Sequence, residues 1–331
     1  MKSGESFSCN YAGSMRADKI PVIDLTAEDC GKHLDAAWRE IGFACVTGHQ
    51  IDPDLFTEMR SLLKRLFALS DEIKINYQIT SENYRGFIPL GFFTPNRKEI
   101  TGTNADAYEA FKLHWECPPE HPVRNECSLY GSNRWVNEID DMHQIISAYW
   151  EACDVLATDL LILVAKSLNV DSNMLQSAFE APLTNMTLLR YPATHTKSEF
   201  GIHPHKDTNI FTLLHPDSGG GLEVKNQDGS WIEVECPEGA LVINTGEMLE
   251  LWSGGNYTAT AHRVINQGSD RYSFPYFMVP NHKVVIEPLI PRRLGFKNSI
   301  MPVGELSAEV WRTNWPEEEP NDHKFDLGSV Y

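Results

Sequence analysis

The sequence predicts an α+β protein with a mainly β core, a double-stranded β-helix (a cupin-like jelly roll) flanked by helices. Three observations lead there. Helical apolar spacing dominates before residue 182, short alternating runs dominate from 182 to about 290, and Gly, Asn, Asp and Pro clusters separate those runs. The expected organisation is one structural unit in four segments. Residues 1–134 are an N-terminal region of strands, helices and a pocket-lining loop, 135–181 are supporting helices, 182–290 are the jelly-roll core, and 291–331 are a C-terminal helix and tail.

Ile20–Leu25 (IPVIDL) reads as a short strand, and Thr26 as the cap of a helix from about Ala27 to Ile41. Gly42–Thr47 reads as a strand. Pro53 opens a helix to about Leu69, whose Leu55, Met59, Leu62, Leu63 and Leu66 share one face. Residues 78–134 look irregular and are rich in aromatics, as a loop lining a pocket can be. A long helix follows over roughly Val136–Leu168, then a short one capped by Asp171 and running to about Phe179.

Eight alternating runs make the core: Met186–Tyr191, Ile210–His215, Leu222–Lys225, Trp231–Glu235, Ala240–Thr245, Arg263–Asn266, Tyr272–Val279 and Val284–Glu287. Eight strands suit a double-sheet jelly roll. A last helix, about Val303–Asn314, packs back on the body, and the acidic stretch after Trp315 reads as a mobile tail.

Composition narrows the function classes. The chain has 331 residues, 42% hydrophobic and 22% charged, an ordinary globular balance. A net charge of -18 argues against a nucleic-acid surface, which needs basic clusters to replace phosphate counterions. No basic amphipathic segment offers itself to a membrane. The apolar stretch Leu160–Ala165 is too short to span one, and the first twenty residues lack the apolar region of a secretory signal. Seven scattered cysteines, with no CxxC pair, fit reduced thiols in the cytoplasm better than a disulfide scaffold.

The chemistry starts at His205-Lys206-Asp207. On a strand, residues two apart project to one face, so an imidazole and a carboxylate can reach one metal. An HxD triplet alone is common. With His262 at the start of a later strand, it completes two His and one carboxylate on one face of an octahedron, the facial arrangement of non-haem iron(II), with the other face open. Among twelve histidines most must be ordinary core or surface residues, and His203 is the natural decoy, four residues before Asp207 and out of strand phase with it. Nine residues beyond His262, Arg271 and Ser273 share a strand face. Arg matches a carboxylate with two parallel donors, and the hydroxyl adds a third bond. Alone, an RxS triplet is better explained by a surface ion pair; placed just after the third ligand, it reads as an anion site.

The segments HKDTNIFTLL, GGGLEVKNQDGSWIEV, ALVINTGEMLELWSGG, TATAHRVIN and RYSFPYFMVPNHKVVIEPL resemble the iron(II)- and 2-oxoglutarate-dependent dioxygenases of the isopenicillin N synthase-like superfamily. IPVIDL, GFACVTGH and NYRGF resemble that family's N-terminal region, so the likeness runs from about Ile20 to Leu289. It implies Fe(II), 2-oxoglutarate and O2 as metal, co-substrate and oxidant, with release of succinate and CO2 and hydroxylation, desaturation or cyclisation of a small organic molecule. It further implies His205, Asp207 and His262 as iron ligands, Arg271 and Ser273 as partners of the distal 2-oxoglutarate carboxylate, and Tyr191 in LLRYP beside the co-substrate. Leu189 and Thr208-Asn209 depart from the family's frequent Asn and Tyr-Gly, leaving a less polar co-substrate pocket and a smaller side chain beside the iron. Glu247 stands where Asp is usual and reads as structural.

Three competing readings remain at this level. An oxidase like isopenicillin N synthase shares the ligands and the RxS pair but releases no succinate. A binding or sensor protein on the same jelly roll would show no turnover, and two His with one Asp can also hold the zinc of a hydrolase. The substrate side is expected around Asn83–Phe93, with Tyr84, Arg85, Phe111, Leu189, Thr208 and Phe277 facing the open side of the metal. Arg85 is weighed evenly between substrate contact and structural ion pair. The aromatics suit a partly apolar substrate, although core packing explains most of them equally well.

Overall fold

The computed structural model describes residues 19–93, 105–193, 200–297 and 299–313. Residues 1–18, His195 and the acidic tail after Trp315 lie outside these residues.

In chain order, β1 (Val22–Asp24) leads into α1 (Cys30–Glu40) and β2 (Phe43–Thr47). α1 starts three residues later than the sequence predicts. Thr26 does not cap it, because the Thr26 hydroxyl and backbone N–H both donate to Asp24 Oδ1, at 2.7 and 2.9 Å. α2 (Pro53–Phe67) has Pro in its first turn and the Asp52 side chain accepting from the Asp54 N–H. Its buried Phe56, Met59, Leu62, Leu63 and Leu66 recur at helical spacing. A short α3 (Asp71–Ile75) precedes β3 (Gly86–Ile88) and β4 (Glu109–His114). These two strands are a correction: the aromatic stretch taken as irregular contains a hairpin-like pair at the edge of the main sheet.

α4 (Met142–Leu168) is the central helix, ended by Asn169 in the left-handed conformation at φ 54°. α5 (Ser172–Ser177) follows, capped by Asp171 as predicted. Then come β5 (Asn185–Tyr191), β6 (Phe200–His205), β7 (Phe211–Leu214), β8 (Leu222–Lys225), β9 (Trp231–Glu233) and β10 (Leu241–Thr245). α6 (Glu247–Trp252), β11 (His262–Ile265), β12 (Arg271–Ser273), β13 (Tyr276–Met278), β14 (Val285–Ile286), β15 (Met301–Pro302) and α7 (Val303–Thr313) complete the chain. The single strand expected over Tyr272–Val279 is two strands broken at Phe274-Pro275, where proline has no N–H to give to a ladder.

A nine-stranded sheet runs β1-β2-β10-β7-β13-β5-β4-β3, with β12 also on β5; it faces a four-stranded sheet in the order β6-β11-β8-β9. Two apolar layers result. Behind the large sheet, Leu34, Trp38, Met59, Leu62, Tyr149 and Leu160 of the helices pack on Ala44, Phe111, Leu188, Leu213 and Ile243. Between the sheets lie Phe43, Cys45, Leu189, Tyr191, Val224, Val242 and Val264. Strand phase sorts each side chain to its layer: on β5, Met186 and Leu188 go to the helices, Leu189 and Tyr191 to the interior. No helix among the described residues is long and apolar enough to cross a membrane.

The reduced state expected of all seven cysteines is corrected at one pair. Cys45 on β2 and Cys236 beyond β9 form a disulfide with Cα atoms 5.7 Å apart and 191 residues between them. Only the fold brings them together. Protease digestion of the denatured, unreduced protein should therefore give one peptide pair joined through Cys45 and Cys236 that separates on reduction; alkylation of both thiols before reduction would refute the link.

Candidate metal centre and substrate cavity

His205 is the last residue of β6 and His262 the first of β11, and the two are direct antiparallel partners. Their rings stand 4.3 Å apart. Asp207 lies two residues past the end of β6, so it reaches the histidines from a turn and not from the strand face the sequence suggests. The three ligand groups offer atoms all within 4.8 Å of one another. His205 Nε2 and His262 Nε2 each stand 3.7 Å from Asp207 Oδ1.

The far side of each ligand is tied down. His205 Nδ1 donates to the His203 carbonyl at 2.8 Å and His262 Nδ1 to the Thr260 carbonyl at 3.1 Å. Those bonds place the ring proton on Nδ1 and turn the Nε2 lone pairs to a common point. Asp207 Oδ2 accepts from Thr212 Oγ1 at 2.5 Å and Asn244 Nδ2 at 2.8 Å, which leaves Oδ1 for the same point. Asn209 Nδ2 donates to the Thr212 hydroxyl at 2.8 Å and so orients its hydrogen toward Asp207.

Electrostatics agrees with this geometry. Burial alone would raise the Asp207 pKa, but His262, His205 and the two donated bonds outweigh it and hold the carboxyl below its ordinary value. Burial, with His262 alongside, pulls His205 down to about 4. A carboxylate and an uncharged imidazole are the forms that bind a divalent metal. His203, the decoy, is buried against Asp106, whose Oδ1 lies 2.6 Å from its Nδ1 and accepts its backbone N–H at 3.0 Å. It contributes the carbonyl that positions His205.

Arg271 and Ser273 pair with Tyr191 and Leu189 across β12 and β5. Arg271 is buried, with its guanidinium 4.8 Å over the Tyr191 ring and Nε donating to the Gly220 carbonyl at 3.0 Å. Its Nη1 is buried without a partner, as are Nδ2 and Oδ1 of Asn266. Asn266 lies close to Tyr191, because a Cβ added to Gly201 would sit 2.6 Å from Tyr191 Cδ1 and 2.8 Å from Asn266 Oδ1. Burial lifts the Tyr191 hydroxyl to about 12, against the lowering effect of Arg271, so it stays a donor. A buried arginine with an unused donor beside a protonated tyrosine fits the distal carboxylate of a dicarboxylate.

A cavity of about 190 Å³ opens beside His205 and Asp207. Of the predicted substrate residues, Tyr84, Leu189, Thr208 and Phe277 line it. Phe111 and Arg85 do not. Phe111 is out of phase on β4 and packs among the helix-side core residues. Arg85 lies behind the wall, donating to the Leu129 carbonyl at 2.7 Å and standing 5.7 Å from the Trp311 ring, and burial pulls its pKa to about 10.

The sequence reading missed two parts of the lining. Lys112 and His114 of β4 and Asn185 and Thr187 of β5 form a polar stretch of wall, and Leu306, Ser307, Val310 and Trp311 of α7 close the cavity from outside. The Trp311 ring lies tilted 5.2 Å from Tyr84 and meets His114 edge-on at 5.0 Å. The alternation in EAFKLH was a usable signal, since it sets Lys112 opposite in phase to Phe111 and Leu113.

With fold and site in view, comparison with known proteins defines the class. Residues 183–280 match the 2OG-Fe(II) oxygenase superfamily, and residues 20–138 match the N-terminal region described for the non-haem dioxygenase in morphine synthesis. A homoarginine-6-hydroxylase of Glycine max is 31% identical, over 82% of this chain and 88% of that protein. Among solved structures, a full-length Neurospora crassa protein in complex with alpha-KG is 25% identical with a TM-score of 0.76, over 88% of this chain and 95% of that one. A 2OG-Fe(II) oxygenase family protein of Caulobacter crescentus is 26% identical, also with a TM-score of 0.76, over 90% and 99% of the two chains. The chain belongs to the 2-oxoglutarate- and Fe(II)-dependent oxygenase superfamily. It is an oxidoreductase that uses Fe(II), 2-oxoglutarate and O2, and the oxidase, sensor and zinc-hydrolase readings gain no support.

Thr212 lies outside the candidate metal cluster but orients the Asp207 carboxylate within it. Thr212→Val should weaken Fe(II) binding roughly ten- to hundredfold, the usual cost of losing a partner behind a metal ligand. A metal titration that gives the same affinity for variant and wild type would refute this role.

Proposed function

We propose that His205, Asp207 and His262 hold the Fe(II), that Arg271 and Ser273 receive the distal carboxylate of 2-oxoglutarate with Tyr191 alongside, and that a small, partly apolar molecule is oxidised in the adjoining cavity. The supporting observation is the convergence of His205 Nε2, His262 Nε2 and Asp207 Oδ1 beside that cavity. Bound Fe(II) with 2-oxoglutarate and O2 supplies the oxidising power, and succinate and CO2 leave with the oxidised substrate; hydroxylation is the default outcome.

The chain's own residues position and exclude. Thr212 and Asn244 keep one carboxylate oxygen of Asp207 away from the shared point and the other on it. Leu189, Met248, Phe277 and Trp311 line the cavity with apolar surface, which keeps bulk water from the reacting end of the substrate. Thr208, beside Asp207, leaves space where a larger side chain would fill the substrate side. Asp207 is the one carboxylate in the described lining, so a guanidinium group such as that of homoarginine would meet no free acidic partner there.

Succinate formation tests the reading. Purified protein with Fe(II), 2-oxoglutarate, O2 and ascorbate, screened against candidate substrates, should release succinate, detected by mass, and His205→Ala should abolish it while leaving the circular dichroism spectrum unchanged. Arg271→Ala should raise the 2-oxoglutarate concentration for half-saturation roughly tenfold or more, as expected for losing a charge-assisted bond to a buried carboxylate. An unchanged requirement would remove Arg271 from the co-substrate site.

A further inference from the structure

We propose that Lys112 is the substrate anchor and that the enzyme takes a small organic acid, whose carboxylate accepts a hydrogen bond from the Lys112 ammonium while its apolar part lies over Phe277 toward the metal. This inference rests on the function proposed above and names the substrate class that the same cavity selects.

The case begins with strand phase. β4 pairs with β5 so that Lys112 stands opposite Thr187 and His114 opposite Asn185. Phe111 and Leu113, on either side of Lys112 in sequence, go to the helix-side core. Lys112 therefore points into the cavity from a wall that would ordinarily hold an apolar side chain. Its Nζ donates to Asn185 Oδ1 at 2.7 Å and Thr187 Oγ1 at 2.8 Å, and it lies 5.2 Å from the centre of the Phe277 ring.

An ammonium has three donors, and these contacts use two. Both acceptors are neutral, so the charge has no counter-ion in direct contact among the described residues. Two nearby cations, Lys74 of α3 and Arg190 of β5, are treated differently. Lys74 lies 2.8 Å from Glu109 and 3.0 Å from Asp71, and Arg190 lies 2.7 Å from Glu109 and 3.0 Å from Asp270. The one carboxylate whose charge acts on Lys112 is Asp207, which the metal claims. Burial accordingly pulls the Lys112 pKa to about 7. A cation held this way in a cavity, with one donor left over, is completed by an anion.

The same geometry bounds the substrate. Phe277 pairs with Asn185 on one side and Thr212 on the other, so it separates the lysine from the metal end. β5 is two strand spacings from β7, roughly 10 Å. One small molecule can bridge that distance. A single remaining ammonium donor suits a carboxylate better than a phosphate, which would leave more acceptors unpaired.

Calorimetry on the anaerobic Fe(II)–2-oxoglutarate protein tests the proposal, using 3-phenylpropionate, phenylacetate and hexanoate, each paired with its primary amide. At least one acid should bind about tenfold or more tightly than its own amide, the scale of one bond to a charged group. Lys112→Met and Lys112→Gln should each lose that preference with 2-oxoglutarate affinity unchanged, which also reports an intact fold. No acid binding more tightly than its amide overturns the proposal, as does a preference that survives in the variant retaining 2-oxoglutarate affinity. Failure of 2-oxoglutarate itself to bind the wild type would instead overturn the functional reading beneath it.

Discussion

One carboxylate oxygen organises this molecule. Asp207 Oδ2 is buried and needs two donors, and they come from Thr212 on β7 and Asn244 on β10, which are direct partners in the large sheet. β10 is held on its other edge by β2, where Phe43 pairs with Asn244. The Phe43 ring also meets the His262 ring edge-on at 5.3 Å. A strand from the N-terminal region thus supports a donor to one ligand and the flank of another. Distortion of β2 would be felt at the candidate metal cluster, although β2 contributes no residue to it.

The two apolar layers divide the labour. The helix-side layer, with α4 at its centre, gives the large sheet a rigid back. The interior layer is interrupted where chemistry requires it, by Asp207, Thr212, Asn244, Arg271 and Ser273, all buried. Such groups are costly unless bonded; Asp207, Thr212 and Asn244 bond to one another, while Arg271 Nη1 and the side-chain amide of Asn266 are left without partners beside Tyr191. The ionic chain Lys74–Glu109–Arg190–Asp270 ties β4 and β5 to their surroundings. Its value lies in register more than in stability, because desolvation offsets much of the attraction.

What the sequence disclosed follows from the range of each interaction. The long helices and most core strands were legible because apolar period is a local signal, whereas β6 (Phe200–His205), with its His and Pro, fell outside the eight runs. The cluster of His205, Asp207 and His262 was legible because the first two lie two residues apart and the third opens a strand. The hairpin-like pair β3–β4 was not, since Gly, Pro and Asn around it masked the alternation in EAFKLH. Asp207 was assigned to a strand face because two-residue spacing is the same signal in a strand and just past its end. Phe111 was misplaced for the same reason: without a strand assignment its phase could not be read. The Cys45–Cys236 link and the α7 contacts depend on pairings across most of the chain, which no local pattern encodes.

The position of α7 has an evolutionary consequence. The floor of the cavity is made from sheet strands, among them β6, which ends in His205, so a substitution there can disturb the candidate metal cluster. Its roof is an eleven-residue helix near the end of the chain, joined to the body through the small β14–β15 pair. Leu306, Ser307, Val310 and Trp311 can therefore vary with little penalty to the oxidising machinery. A lineage built on this plan can reshape how its cavity closes by editing this one helix, while Lys112 on the sheet keeps the class of substrate.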